Sequence, residues 1–363
     1  MVGMEAVFPS FTSPEVDPLE RGRGFGAAWR TQIHTTLTRY DRLFRAHGVT
    51  ESQSHAWSER AVDRLADWSP GLAGEIAGIA TGAELEPWQV GMLTGRTEVL
   101  AAARATVMTE CSTVVALPVG GPPRTIQTWD WHESLRDSPV VWRYQPRSGH
   151  HVHGFTEFGV LGKIGVSSAG LGVHFNLLRH ASDHERIGVP VHAVARRILD
   201  EATDIDEATE IARSARVSAS TVVTVVTFDG ERGWVRGLEL SPAGVGIVEA
   251  DVDGVYIHTN HFVASPLADG DIAVDERPGT LDRLRYLETH RALFGAADVT
   301  ARAMAMVSHH DDGAAVCSHP LPGDPFELRS ETLATIGLDL AGGRLMVHRG
   351  GPCQVTANGW MEV

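Results

Sequence analysis

Cys111 stands where the sequence changes character, after a segment of helical periodicity and before a series of short β-rich runs. A cysteine that opens a strand is a candidate nucleophile, because its thiolate attacks acyl carbon once a base has taken the thiol proton. Taken alone it is more often an ordinary packed thiol, since cysteine is among the most buried residue types. The residues downstream have to decide between these two interpretations.

Three polar residues after Cys111 have the side chains that such a nucleophile needs. Asp130 lies between two tryptophans in QTWDW, where a hairpin would fold its carboxylate back beside Cys111 to hold an amine or orient a thiolate. Asn176, in GLGVHFNLL, and Asn260, in YIHTNHF, carry amides that can donate to an oxyanion. Each also has an ordinary explanation, as a hydrogen-bonded aspartate at a sheet edge or as a turn-forming asparagine.

The first hundred residues are predicted to be helical. Apolar side chains recur at three- and four-residue steps, the period of one helical face, at Trp29, Ile33, Leu37, Tyr40 and Phe44. An amphipathic segment follows from about 52 to 68, and Ser69-Pro70 suits the cap and first turn of a third helix. A fourth helix is predicted from Pro87 to about Leu100.

From Cys111 onward the sequence is typical of short strands separated by turns. Strands are predicted over 112–117, 125–131, 140–144, 151–158 and 172–178, and then over 221–228, 233–240, 245–249, 255–258, 333–340 and 344–348. The turn GGPPR makes the first two a hairpin, and helical stretches are expected over about 189–215 and after Leu281. This order predicts an α+β fold of two stacked, mainly antiparallel sheets covered by helices, as a single unit over 1–363.

Composition narrows the function classes. With 363 residues and 43% hydrophobic content the chain can bury a large core, and 31 basic against 46 acidic groups, a net charge of −15, disfavour nucleic acid as a partner. The chain carries neither signal-peptide features at its start nor about 18 consecutive apolar residues, so a cytoplasmic protein without a membrane partner is expected. Three widely spaced cysteines without a C-x-x-C pair disfavour a disulfide framework or a structural zinc site.

Together these segments resemble the acyl-coenzyme A:6-aminopenicillanic acid acyltransferase family, peptidase family C45, whose members are related to the choloylglycine hydrolases. The resemblance covers roughly residues 70–355. It is carried by PGLAGEIAGIATGAEL, ECSTVVA, QTWDW, GKIGVSSAGLGVHFNLL, GVPVHAVARRIL, YIHTNHF, CSHPLPGDP and TLATIGLDLAGGRLMVHRGGP. It implies the four-layer αββα sandwich of N-terminal-nucleophile hydrolases.

In that family the chain cuts itself before a cysteine, which then becomes the terminal residue and the nucleophile. The resemblance therefore implies Glu110–Cys111 as the scissile bond. The products would be a helical fragment, 1–110, and a catalytic fragment, 111–363, which stay together as a heterodimer. Asp130 would contact the new amine, Asn176 would help to form the oxyanion hole, and Asn260 would be the active-site asparagine.

The resemblance also implies a late catalytic arginine, for which Arg329 is the first candidate, ahead of Arg283 and Arg285. Trp129 and Trp131 are predicted to line the pocket for the acyl group, although core packing is the commoner role of tryptophan.

A terminal cysteine supplies its own base, because its α-amine has an ordinary pKa of about 7.7–8 and is partly neutral near pH 7. The predicted reaction is attack of Cys111 on a linear N-acyl amide, which gives a thioester. Water as the acceptor makes the enzyme a hydrolase, and a second amine makes it an acyltransferase. An acyl-coenzyme A donor is suggested by the family alone, and no bound cofactor is expected.

Two rival interpretations stay open. His150, His151 and His153, together with the HHDD segment at 309–312, are rich in metal ligands, but neither group has the spacing of H-E-x-x-H, and no metal is predicted. The other rival is a binding or regulatory protein on the same fold that no longer cuts itself. It is suggested by Thr128 and Ser167, where the family usually has asparagine, and an uncut chain would support it.

Overall fold

The computed structural model describes residues 7–105, 110–321 and 323–363. Residues 1–6, the start of the stretch judged to lack a signal peptide, lie outside the described residues. So do residues 106–109, which belong to the predicted small fragment.

The N-terminal region is helical, as predicted. After a short strand, β1 (Ser10–Thr12), it forms α1 (Pro18–Ala28), α2 (Arg30–Ala46), α3 (Glu51–Trp68), α4 (Pro70–Ala83), α5 (Pro87–Thr94) and α6 (Arg96–Ala102). Helix α3 begins with a capping box, in which Thr50 accepts from the Gln53 N–H and Gln53 accepts from the Thr50 N–H. The predicted fourth helix is divided at Gly95 into α5 and α6.

Helix α1 was not assigned as a separate helix from the sequence, because its segment PLERGRGFGAA contains glycines, which disfavour a helix interior. The glycines are required by the contact with α4. A Cβ at Gly22 would lie 2.3 Å from the Glu75 carbonyl oxygen, and one at Gly78 would lie 2.1 Å from that of Leu19. Close packing of the two backbones therefore overrides the local preference.

The strands form two sheets. They are β2 (Cys111–Ala116), β3 (Arg124–His132), β4 (Pro139–Arg147), β5 (His150–Glu157), β6 (Ile164–Ser167), β7 (Leu171–Leu177), β8 (Thr221–Phe228), β9 (Gly233–Ser241), β10 (Gly244–Glu249), β11 (Val255–His258), β12 (Ser330–Asp339), β13 (Arg344–Arg349) and β14 (Met361–Glu362). The larger sheet has the order β1-β4-β5-β6-β7-β8-β9-β10, and the smaller has β11-β2-β3-β12-β13-β14. Apart from the parallel pair β1 and β4, the pairs within the described ranges are antiparallel.

Helices cover both outer faces. The remaining helices are α7 (Val191–Glu201), α8 (Ile205–Ser214), α9 (Ser265–Ala268), α10 (Ala273–Glu276), α11 (Gly279–Thr289) and α12 (Val299–Met304). Helices α7 and α8 pack on the larger sheet, α11 and α12 pack on the smaller, and β2 faces β7 between them. The predicted αββα order is confirmed. Among the described residues, none of the helices is long and apolar enough to cross a membrane.

The predicted helical stretch over 189–215 is two helices, because the Asp204 carboxylate accepts hydrogen bonds from the N–H groups of Asp206 and Glu207 and so begins α8.

The β2–β3 hairpin fixes the position of Cys111. Cys111 is paired with Trp129 across the hairpin. Because side chains alternate along a strand, Cys111 and Val115 face the core between the sheets, whereas Val114 packs with Leu287 of α11 on the outer face. Side chains from the core between the sheets and from helix α11 on the outer face can therefore both reach the start of β2.

Candidate active site

The peptide group between Glu110 and Cys111 is held at both its oxygen and its nitrogen. The Glu110 carbonyl oxygen accepts from the Asp130 N–H at 3.1 Å, and the Cys111 N–H donates to Asn260 Oδ1 at 2.8 Å. The hairpin register explains the first contact, because Asp130 follows the cross-strand partner of Cys111. A donor therefore lies on the carbonyl oxygen and an acceptor on the nitrogen of the predicted scissile bond.

Asn260 joins both sheets and α11 at this point. It lies just after β11, the strand that pairs with β2. Its Nδ2 donates to the Leu177 carbonyl on β7 at 2.8 Å, and its backbone N–H donates to Thr280 Oγ1 on α11 at 3.0 Å. The side chain that contacts Cys111 is thus fixed at every polar atom.

Arg283, a buried residue of α11, is the arginine of this site. Its guanidinium donates to the Cys111 carbonyl at 2.7 Å, to Ser112 Oγ at 2.9 Å and to Asn260 Oδ1 at 3.0 Å. Its Nε also lies 3.1 Å from the Glu110 carboxylate. One cation therefore contacts residues on both sides of the predicted scissile bond.

The structure places the preferred candidate, Arg329, elsewhere. Arg329 Nε donates to the Asp324 carbonyl at 2.9 Å, and its Nη1 lies 3.7 Å from the Glu133 carboxylate. Arg285 lies on α11 but its side chain is 72% exposed. Sequence reasoning ranked Arg283 below Arg329, whereas in the structure it is Arg283 that contacts Cys111.

Asp130 is buried with one satisfied and one unsatisfied oxygen. Thr332 Oγ1 donates to Oδ1 at 2.6 Å, whereas Oδ2 has no hydrogen-bond partner among the described residues. Burial raises the pKa of Asp130 to about 8, and the Thr332 hydrogen bond and Arg283 oppose the rise. An unsatisfied carboxylate oxygen in this place can receive a new hydrogen-bond donor.

The Cys111 thiol is protonated at neutral pH in the uncut chain. Burial, followed by the charge of Asp130, raises the pKa of Cys111 to about 12, while Arg283 and Lys163 act in the opposite direction. Because the nitrogen of Cys111 is an amide there, it cannot serve as the base. The thiol becomes a useful nucleophile only if another group accepts its proton.

Lys163 was not selected from the sequence, although it is the only lysine of the chain. It is buried, its Nζ lies 3.2 Å from the ring centroid of Trp129, and it pairs with Glu157 at 3.1 Å. Burial lowers the pKa of Lys163 to about 7, and Glu157 opposes this effect. The sequence shows that Lys163 is a single lysine among thirty arginines. That count alone does not indicate a role, because the role depends on where the folded chain places the side chain.

Asn176 lies between the sheets and is fully hydrogen-bonded. Its Oδ1 accepts from Thr113 at 2.7 Å, and its Nδ2 donates to the carbonyls of His258 and Thr259, each at 3.2 Å. Both carbonyls directly precede Asn260. The amide hydrogens expected to reach an oxyanion are therefore engaged in holding the segment that carries Asn260.

Trp129 and Trp131 belong to the core. Both are buried, their rings stack with centroids 6.5 Å apart, and Trp131 Nε1 donates to the Tyr40 hydroxyl at 2.9 Å. Neither is among the described residues that line the two cavities beside Glu110. The structure therefore gives both side chains a packing role, and their contact with an acyl group stays a prediction.

Those two cavities meet at Glu110 and Arg277, which line both. The first has mainly apolar walls, which include Leu100, Ala101, Leu177, Leu178 and Ala219. The second, of about 870 Å³, is lined mostly by charged and polar residues, in part from the loop over residues 309–321, and is called the polar cavity below. A substrate with one apolar and one polar part fits this division.

The histidines of GHHVHG lie away from this site on β5. Among the described residues they do not belong to a group of three or more metal-type side chains. His150 instead contacts the Leu199 carbonyl at 2.9 Å.

The sequence model of the acyl-coenzyme A:6-aminopenicillanic acid acyl-transferase family matches residues 120–352, more than half of the chain. The chain belongs to this family. It is also 29% identical over 342 residues to the acyl-coenzyme A:6-aminopenicillanic-acid-acyltransferase 40 kDa form of Emericella nidulans, with 92% of this chain and 91% of that protein covered. The resemblance inferred from the motifs is confirmed, and the protein is an enzyme of amide hydrolysis or acyl transfer.

The solved structures to which the chain is similar include an amidase and an acylase. The Caenorhabditis elegans ortholog of N-acylethanolamine-hydrolyzing acid amidase has a TM-score of 0.42 and 13% identity, over 64% of this chain and 93% of that one. Penicillin V acylase from Agrobacterium tumefaciens has a TM-score of 0.42 and 15% identity, over 65% and 82% of the two chains.

Proposed function

We propose that the protein cuts itself between Glu110 and Cys111 and then uses terminal Cys111 to hydrolyse or transfer the acyl group of a linear N-acyl amide. The observation that carries the proposal is the pair of contacts at this peptide group, with Asp130 N–H on the carbonyl oxygen and Asn260 Oδ1 on the nitrogen. Attack on the carbonyl carbon puts negative charge on the first atom and turns the second into an amine. The Asp130 N–H can stabilise the negative charge on the oxygen, and Asn260 Oδ1 can accept a hydrogen bond from the new amine.

In the cleavage step, Cys111 Sγ attacks the Glu110 carbonyl carbon, the C–N bond breaks, and the thiol proton ends on the Cys111 nitrogen. The resulting thioester is hydrolysed by water, which leaves a carboxylate on Glu110 and restores the thiol. The Asp130 N–H stabilises the oxyanion in both steps, and Asn260 accepts a hydrogen bond from the new amine.

The mature enzyme gains the base that the uncut chain lacks. The α-amine of Cys111 has an ordinary pKa of about 8, so a fraction of it is neutral near pH 7 and can accept the thiol proton as Sγ attacks the substrate. The unsatisfied Oδ2 of Asp130 is the proposed partner of that amine. A substrate carbonyl then occupies the place of the Glu110 carbonyl, with the Asp130 N–H as its oxyanion donor.

Departure of Glu110 would join the two cavities that it separates. The apolar cavity then receives the acyl chain, and the polar cavity receives the amine part. We assign Arg283, rather than Arg329, to the site, and Asn176 acts as a positioning residue for Asn260.

The fragments 1–110 and 111–363 would remain together as a heterodimer, because buried polar contacts join them. Arg196 of α7 donates to Glu75 of α4 at 2.7 Å, and the Val191 N–H donates to Glu98 of α6 at 2.8 Å. Separation would leave these groups unpaired, which is costly for buried charges.

The experiment is to incubate the purified protein with N-acyl p-nitroanilides that differ only in the acyl chain, to quench with acid and to measure intact masses. The expected result is an acyl adduct on the 111–363 fragment, which is absent from a Cys111→Ala preparation. Added hydroxylamine separates transfer from hydrolysis by the yield of hydroxamate. Equal turnover by the Cys111→Ala protein would remove Cys111 from the mechanism.

A further inference from the structure

Four side chains that take no part in the chemistry proposed at Cys111 converge on one point. Their ligand-type atoms all lie within 4.8 Å of one another, and they belong to His309, Cys317, His319 and Cys353. The two sulfur atoms are 3.5 Å apart, and His319 Nε2 lies 3.8 Å from Cys317 Sγ and 3.4 Å from Cys353 Sγ. Two thiolates and two imidazoles are a donor set of structural zinc sites.

The distances fit a tetrahedral ion. With Zn–S bonds of about 2.3 Å and Zn–N bonds of about 2.0 Å, tetrahedral geometry places the sulfurs about 3.8 Å apart and each sulfur about 3.5 Å from a nitrogen. The three separations among Cys317, His319 and Cys353 agree with these values to within about 0.3 Å. We propose that these four residues bind a zinc ion.

The fourth ligand, His309, has a partner that prepares it for a metal. Asp312 accepts the His309 backbone N–H at 2.9 Å, and the same carboxylate oxygen lies 3.3 Å from His309 Nδ1. The His309 side chain also accepts from the Asp312 backbone N–H. Metal binding at Nε2 would turn Nδ1–H toward the Asp312 carboxylate, the contact that is usual for metal-binding histidines. His310, the next residue, has an exposed side chain and is outside the group.

The site joins three loops of the smaller sheet. His309 follows α12, Cys317 and His319 precede β12, and Cys353 follows β13. Because four protein side chains complete the coordination, no position is left for a substrate, and the ion is structural.

The same loops support the active site. The Ser318 N–H, between two of the ligands, donates to Thr332 Oγ1 at 2.9 Å, and Thr332 donates to Asp130. Cys317 and His319 also line the polar cavity beside Glu110. Zinc would therefore fix one wall of that cavity and the hydroxyl partner of Asp130.

A disulfide between Cys317 and Cys353 is the competing occupant. The sulfur separation of 3.5 Å is well beyond a disulfide bond of about 2.05 Å, and a disulfide would leave His309 and His319 without a function there. Zinc uses all four groups.

The test is the metal content of the full chain, purified without a histidine tag under reducing conditions and measured by elemental mass spectrometry. One zinc per chain is expected in the wild type and in Cys111→Ala, which keeps the measurement independent of self-cleavage. Cys353→Ser and His309→Ala should lose the zinc, and Asp312→Ala should bind it about 10- to 100-fold more weakly. His310→Ala is the matched control and should keep it.

Cobalt(II) added to metal-stripped wild type gives a second readout that does not depend on the fate of a variant. Visible absorption typical of tetrahedral cobalt with thiolate ligands is expected, and zinc should displace it. Reduced, folded wild type that binds neither ion would overturn the proposal. So would a Cys317–Cys353 disulfide in the fresh protein with no zinc bound after reduction, or equal zinc loss in His310→Ala and His309→Ala.

Discussion

Replacing Arg283 with glutamine should slow self-cleavage, whereas the same change at Arg329 should not. Arg283 donates to the Cys111 carbonyl and to the Asn260 oxygen that holds the scissile N–H. A hydrogen bond from a charged group contributes about 1.5–3 kcal/mol. If only one such bond is lost in the transition state, cleavage slows by about 10- to 150-fold.

The assay is a chase of freshly translated protein, in which the uncut fraction is followed by intact mass under denaturing conditions. Arg285→Gln is a control on the same helix, because that side chain is largely exposed. Circular dichroism of each purified variant checks that it has folded. Wild-type cleavage in Arg283→Gln would refute the assignment, and slow cleavage in Arg329→Gln alone would return the role to that residue.

Three further changes test other parts of the structure. Glu75→Gln removes a buried carboxylate between two arginines and should lower the free energy of unfolding, measured in urea, by about 3–5 kcal/mol. Glu84→Gln, in an exposed ion pair, is the control and should change it by less than about 1 kcal/mol. Equal shifts in the two variants would contradict the role of Glu75. In uncut Cys111→Ala, the raised pKa of Asp130 lets the folded state bind a proton that the unfolded state releases, so this contribution to stability falls as pH rises from about 4 to about 8. Adding Asp130→Asn should therefore stabilise the Cys111→Ala protein more at pH 8 than at pH 5 in thermal unfolding, and a pH-independent difference would count against the raised pKa. Asn176→Ala should slow cleavage in the same chase without unfolding the chain, and a wild-type rate would exclude the positioning role.

The parts of the fold that follow from local patterns were predictable from the sequence. The β2–β3 hairpin has a turn segment, GGPPR, between two β-rich runs, and the register that brings Asp130 to the Glu110 carbonyl follows from it. Helix α1 could not be predicted in this way, because its glycines serve a contact with α4 that lies far along the chain.

The candidate site follows from the sequence where its motif residues lie on β2 and β3 or just after β11, and not where packing between distant elements decides which side chains meet. Arg283 resembles any arginine of an amphipathic helix until α11 packs against β11, from where the Arg283 side chain reaches the start of β2. The zinc ligands lie in three loops without a close Cys or His pair of familiar spacing, so the cluster exists only in the folded chain. The role of the tryptophans in QTWDW could not be decided from the sequence either, because tryptophan is used both in the walls of pockets and in protein cores.

One comparison decides whether Cys111 becomes a terminal nucleophile: the intact masses of the wild type and of Cys111→Ala, taken under denaturing conditions after prolonged incubation. The wild type should give two chains, 1–110 and 111–363, with the second beginning Cys-Ser-Thr, and the mutant should give one. A wild-type chain that stays uncut would contradict the self-cleaving mechanism and would favour a binding protein on the same fold.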